Sequence, residues 1–245
     1  MRTPRSAGAH AWSLPSVPAF TAIACTAAFA ASCTSSPPES ETSARPSTPA
    51  AEPGSRPEIE AFARSLKAHF PAAFAEPDAP ANSAVSLPRA ANEPLRLHDA
   101  VAKFDLAIAL DGARATEGAE ANGLVVYRGA APSEGDLIHR RIAEGVEDLV
   151  LFERAPDRER LEYKIRFQPS EPDVSGKAIA AGLRLVSGVL EVLDRNGTPI
   201  FRARAPYVLD ASGRHDASLS VEGCAVDTSP VPPFGRPVVA TGDAW

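Results

Sequence analysis

Along Leu161-Glu162-Tyr163-Lys164-Ile165-Arg166-Phe167-Gln168 every odd position is apolar and every even one polar or charged. A period of two is that of a strand with one face in the core and one in water. The same alternation runs through Phe104, Leu106, Ile108 and Leu110, which are separated by Asp105, Ala107 and Ala109 and followed by the tight-turn pair Asp111-Gly112. A short apolar run stands at 124–127, and further strand-length segments follow at 137–142, 149–152, 183–186, 189–193, 200–203, 207–209 and 217–221. Strand-length segments at such short intervals, broken by Gly, Pro and Asp, predict a mainly β fold: an antiparallel β-sandwich that begins near Leu95.

Two of the turns share a form. Asp194-Arg195-Asn196-Gly197 and Asp210-Ala211-Ser212-Gly213 each follow one apolar run and precede another. Asp opens such a turn by accepting from the backbone, and Gly takes the positive φ that closes it, so the pair predicts two successive hairpins in a meander. No longer repeat of the propeller kind is present.

One segment has the other period. Ile59, Phe62, Leu66 and Phe70 fall three and four apart, with Pro57, Glu58 and Glu60 at the leading end and Pro71 at the trailing one. This predicts a short helix over 57–70. His69 sits in its last turn, where a cation complements the helix dipole. The rest of 58–94 is rich in Ala and Pro and reads as an extended strap. Residues 33–57 hold Ser, Thr, Glu and repeated Pro with no large apolar side chain, the composition of a disordered tether. After the sandwich at 95–227, residues 228–245 form a Pro/Gly-rich tail.

Composition narrows the function. The formal charge is −6, and no basic run with interleaved aromatic residues is present, which argues against nucleic acid as a partner. At the N-terminus, Arg2 and Arg5 precede a small, mostly apolar run too short to span a bilayer, and no acidic residue occurs before Glu39. This is the layout of a signal peptide over 1–32.

Candidate chemistry is sparse. Ser212, His215, Asp216 and Ser218 hold the residue types of nucleophilic catalysis, but Gly-x-Ser-x-Gly does not occur, and on a strand His215 and Asp216 would face opposite ways. Glu144, Glu147 and Asp148 would suit acid–base work if one were buried, and otherwise read as a charged turn. Asp194-x-Asn196-x-Thr198 starts like a calcium loop, yet Pro199 stands at its sixth position and Ala205 at its twelfth. His98, His139 and His215 lie too far apart for a recognisable metal motif, and no cofactor fingerprint is present. Cys224 reads as a small core residue.

Two resemblances add to this reading. Ala30-Ala31-Ser32-Cys33 resembles the lipobox of bacterial lipoproteins, with Ala30 where that family most often has Leu. The resemblance implies cleavage before Cys33 and a lipid on its thiol, which leaves Cys224 as the one thiol of the folded part. Ala28-Phe29-Ala30 also fits ordinary cleavage after Ala30, and on that soluble reading Cys33 can pair with Cys224. The second resemblance rests on 192–199, on Ala205-Pro206-Tyr207-Val208-Leu209-Asp210-Ala211-Ser212-Gly213, on 221–227 and on 233–238. These stretches resemble the N-terminal β-rich module of secreted bacterial Kelch-repeat and RHS-repeat surface proteins. The likeness covers 145–239 and carries no active site. Members of that group continue into a further strand and then the repeats, whereas this sequence stops at Gly242-Asp243-Ala244-Trp245, which leaves a stand-alone module or a fragment as readings.

The sequence therefore leads to a non-enzymatic, lipid-anchored protein of the bacterial envelope. Its expected place is the outer membrane, its anchor Cys33, and its role binding or structural support for a surface partner. The alternatives are a secreted or periplasmic soluble protein for the address, and an envelope hydrolase with a site near His215 for the activity.

Overall fold

A computed structural model describes the backbone of 21–24 together with residues 55–81, 84–100, 103–169, 180–235 and 238. Cys33, most of the predicted signal peptide, the tether up to residue 54 and the end of the tail lie outside the described residues. In chain order the elements are β1 (Thr21–Ala24), α1 (Arg56–His69), β2 (Val85–Ser86), β3 (Leu95–Asp99), β4 (Phe104–Leu110), β5 (Ala119–Ala121) and β6 (Leu124–Tyr127). A 3-10 turn (Pro132–Glu134) leads into β7 (Asp136–Ile142), β8 (Gly145–Phe152), β9 (Tyr163–Pro169), β10 (Gly182–Val186), β11 (Val189–Leu193), β12 (Pro199–Ala203), β13 (Tyr207–Asp210) and β14 (Gly213–Asp216). The fold is mainly β, and every strand pairing is antiparallel.

Three sheets share the work. The largest runs β14-β13-β1-β8-β7-β6-β5 across its width, the second β2-β3-β4-β9 and the third β10-β11-β12. One face of the large sheet, through Tyr127, Leu137, Val150 and Phe152, packs on Leu106, Tyr163 and Ile165 of the second sheet and Leu190 and Val192 of the third. The opposite face, through Leu124, Val126, Ile138 and Leu151, packs on Ile59, Ala63 and Leu66 of α1. A strand covered on both faces has no wet side to mark with polar residues, which is why the end of β8, Leu149-Val150-Leu151-Phe152, reads as an unbroken apolar run, while β7 buries Asp136, His139 and Arg140 against partners.

The helix forms where its spacing requires. Ile59, Ala63 and Leu66 make its buried stripe, and the Ser55 backbone N–H donates to the Glu58 carboxylate at 2.8 Å, holding the first turn. At the other end the Phe70 N–H closes on the Leu66 carbonyl and Pro71 bars continuation. Burial of the Ile59 and Leu66 side chains contributes at most about 1.5–3 kcal/mol each. The strap after α1 is integrated into the sandwich: β2 pairs with β3, Asp78 bridges to Ile142, and Ala90 bridges to Glu117.

Three expectations need correction. Residues 217–221 are not a strand: the Asp210 turn is so short that the return strand is Gly213–Asp216, whose residues are all exposed and none apolar. The chain then leaves the sheet and sends Leu219 into the main core. The two late hairpins do not form one meander, because the chain breaks at Pro206 between β12 in the third sheet and β13 in the large one. Glu147 and Asp148 do not sit in a turn but within β8, opposite Arg140 and His139 in register. Paired across the ladder, they need not leave the strand.

The turns themselves follow the predicted chemistry. Asp194 Oδ1 accepts from the N–H groups of Asn196 and Thr198, and Asp210 Oδ1 from that of Ser212. Gly197 takes φ +77° and Gly213 φ +123°. The described part of the tail lies along β10, where Asp227 exchanges backbone hydrogen bonds with Leu183 and Leu185, and it ends against the Asn196-Gly197 turn.

Candidate functional site

The structure does bring the hydrolase candidates of the β13–β14 hairpin together, but in the wrong arrangement. Ser212 Oγ donates to Asp210 Oδ1 at 2.6 Å, and His215 Nε2 lies 2.7 Å from Ser212 Oγ and 3.2 Å from Asp210 Oδ1. In a catalytic triad the acid holds one ring nitrogen and the hydroxyl meets the other. Here both meet Nε2, and the serine proton is directed at the carboxylate rather than the ring. The Ser212 hydroxyl, then its backbone N–H, then His215 hold the Asp210 carboxyl below its ordinary range. Ser212 and His215 are exposed on the hairpin and Asp210 is half-buried. Asp216 stands opposite Tyr207 while His215 stands opposite Val208, so the two face opposite sides of the ladder, and Ser218 lies beyond it. The cluster is a turn clamp.

The acidic candidates divide. Glu144 is exposed and paired with Arg204 at 2.6 Å. Glu147 is drawn into a cluster around Arg140, the largest fully buried side chain. Arg140 Nε donates to Asp78 at 2.8 Å, and Nη1 donates to Glu147 and to the Ala73 carbonyl, each at 2.8 Å. Its Nη2 donates to the Glu76 carbonyl, and the guanidinium lies 5.2 Å from the Phe74 ring centroid. Burial pushes the Glu147 carboxyl up and Arg140 opposes it. For Asp78 burial is outweighed by hydrogen bonds and charge from Lys67 and Arg140, and its carboxyl lies below the ordinary value. This cluster ties the strap to the large sheet.

Asp148 is different, because it faces the interior between the sheets. Its Oδ2 lies 3.7 Å from Nε2 of buried His139, whose ring meets Tyr127 edge-on with centroids 5.1 Å apart. Tyr127 donates to the Pro88 carbonyl at 2.6 Å, and burial first, then Asp148, push its phenol up. His139 Nδ1 and Asp148 Oδ1 find no hydrogen-bond partner among the described residues. Sequence reading treats the histidines as isolated and so misses this pair. The signal was available: strands flanking a turn at Ala143-Glu144 place 139 opposite 148.

Asp148 also lines the main feature of the molecule, a cleft of about 800 Å³ where the large sheet diverges from the other two. Its walls are apolar: Leu106 and Ile108 of β4, Ile165 of β9, Val192 of β11, Phe201 of β12 and Leu149 of β8. Its mouth is charged, with Arg204 joined to Glu76 and Glu144, Arg202 to Glu191, and the Arg214 guanidinium 3.7 Å over the Tyr207 ring. Among the described residues that line it there is no serine, threonine or cysteine. Such a cavity can desolvate an apolar body and hold a polar end, which is binding chemistry.

Cys224 packs at the edge of the core and is disulfide-bonded to a cysteine outside the described residues. The chain's other cysteines, Cys25 and Cys33, lie outside the described residues. Among the described residues no three His, Cys, Asp or Glu side chains group as metal ligands, and no helix is long and apolar enough to cross a membrane. No family model, no curated protein and no solved structure matches this chain.

Proposed function

We propose that this protein is a non-enzymatic binding module of the bacterial cell envelope, exported by its N-terminal segment and held at the membrane by a lipid on Cys33. The observation that carries the binding role is the cleft, whose apolar walls and charged mouth suit a ligand with an apolar body. The likeness of 145–239 to modules of secreted surface proteins supports the same setting. The misdirected Ser212-His215-Asp210 cluster weighs against the hydrolase alternative.

A neutral apolar dye such as N-phenyl-1-naphthylamine tests the cleft. Saturable one-site uptake by the folded protein is expected, together with loss of uptake in Ala203→Trp, which fills the wall at β12. Absence of saturable uptake by folded wild-type protein overturns the binding role.

A second reading of the address, soluble in the periplasm or secreted, pairs Cys33 with Cys224, which is disulfide-bonded to a cysteine outside the described residues. A thioether to lipid and a Cys33–Cys224 bond need the same sulfur. Intact mass of protein from its host's membrane fraction decides between them: a diacyl or triacyl increment on a chain starting at Cys33, lost in Cys33→Ala, supports the anchor. An unmodified chain starting at Ala31 in the medium overturns it.

A further inference from the structure

The cleft is apolar along its walls, yet its charges have a prevailing sign. Among the described residues that line it are five carboxyl side chains, Glu76, Asp99, Glu144, Glu147 and Asp148, against three guanidinium groups, Arg202, Arg204 and Arg214. Most of these charges are matched within the protein. Arg204 joins Glu76 and Glu144 at 3.1 and 2.6 Å, Arg202 joins Glu191 at 2.7 Å, and Glu147 holds Arg140 at 2.8 Å. Arg214 covers the Tyr207 ring, His98 pairs with Asp105 at 2.8 Å, and Asp99 is engaged as well.

Asp148 is the exception. It stands on β8 opposite His139, and its ion-pair contact among the described residues is the one from Oδ2 to His139 Nε2, at 3.7 Å too long for a hydrogen bond. Its Oδ1 is shielded from solvent and has no hydrogen-bond partner among the described residues. The Tyr127 hydroxyl supplies none, since it is committed to the Pro88 carbonyl at 2.6 Å. A carboxyl withdrawn from water without donors costs stability, so its retention in a cavity wall calls for a donor from outside the protein.

Resting on the reading of the cleft as a binding site, we propose that Asp148 is its polar anchor and that the ligand is an amphiphilic amine, an apolar body carrying a primary ammonium group. An ammonium brings three donors and a positive charge. It can therefore satisfy the Asp148 carboxylate while the body lies along Leu106, Ile108, Ile165 and Val192. A neutral alcohol brings one donor and no charge. An amphiphile with an anionic head brings the wrong sign to Asp148, and it meets guanidinium groups that glutamates and an aromatic ring already occupy.

The test is displacement of N-phenyl-1-naphthylamine from the folded protein by decylammonium, decanol and decanoate, chains of equal length with different heads, each below its micelle-forming concentration. Decylammonium is expected to displace the dye at a concentration about tenfold or more below that of decanol, with decanoate the weakest. In Asp148→Asn, which keeps the shape of the side chain and removes its charge, the ratio between amine and alcohol should fall to about twofold or less. Equal displacement by amine and alcohol in wild-type protein, or an amine preference that survives in Asp148→Asn, overturns the inference and leaves the cleft standing. Absence of dye uptake by folded wild-type protein overturns both. Should Asp148→Asn not fold, nuclear Overhauser contacts between the head-end methylene of decylammonium and the Asp148 side chain of wild-type protein take its place. Contacts of that methylene with Glu76 and Glu144 at the mouth instead overturn the assignment.

Discussion

Arg140 shows how much one side chain can organise when it is denied water. Fully buried, it is satisfied by two carboxylates, two carbonyls and an aromatic face, all but one of which come from the strap. Removing it leaves Glu147 buried without its cation. Arg140→Ala should therefore lower stability by about 3–5 kcal/mol, measured by urea unfolding. The acids around it respond oppositely to pH. Asp78 is held below its ordinary value of 3.8, so its contribution is complete above that value and is lost as pH falls through the folded-state pKa. Glu147 is raised above its ordinary 4.5, so its contribution is present at low pH and lost as pH rises through the folded-state pKa. Wild-type protein should then lose urea midpoint below about pH 4 more steeply than Asp78→Asn, with equal slopes counting against the Lys67-Asp78-Arg140 staple.

Elements differ in how openly they declare themselves. The β11–β12 turn depends on Gly197, which has positive φ and lies against the Pro233 carbonyl, so a Cβ there meets both strain and a clash. Gly197→Ala should cost about 1–3 kcal/mol and loosen the tail, seen as faster amide exchange at Gly235. That turn was legible from its Asp and Gly alone, as were α1 from its three-and-four spacing and β9 from strict alternation. β8 was only half legible, because the charges of Glu147 and Asp148 suggest a turn until their partners on β7 are known. β14 was hidden for the opposite reason: Gly213, Arg214, His215 and Asp216 are all exposed, so no apolar residue marks the strand. β2 and β5 span only two and three residues and leave too little pattern to read.

At the scale of the whole molecule, the helix and the two smaller sheets press on the large sheet from opposite sides. The amides of β7 and the second half of β8, dry on both faces, should be the slowest to exchange, and those of β14 among the fastest. A native-state exchange profile that ranks β14 with β7 would show the hairpin to be far better braced than its exposure implies. The cleft could not be foreseen in the sequence, because Leu106, Val192 and Phe201 read as ordinary strand residues and only the arrangement of the sheets sets them along its wall.

The hold of Arg140 on the strap has a consequence in time. Arg140 lies 62 residues after Asp78 and 67 after Ala73 in the chain, so the strap stays unfastened until synthesis has passed β7. Until then the apolar stripe of α1, through Ile59 and Leu66, has no sheet to cover and is open to other chains. The helix is made early and buried late.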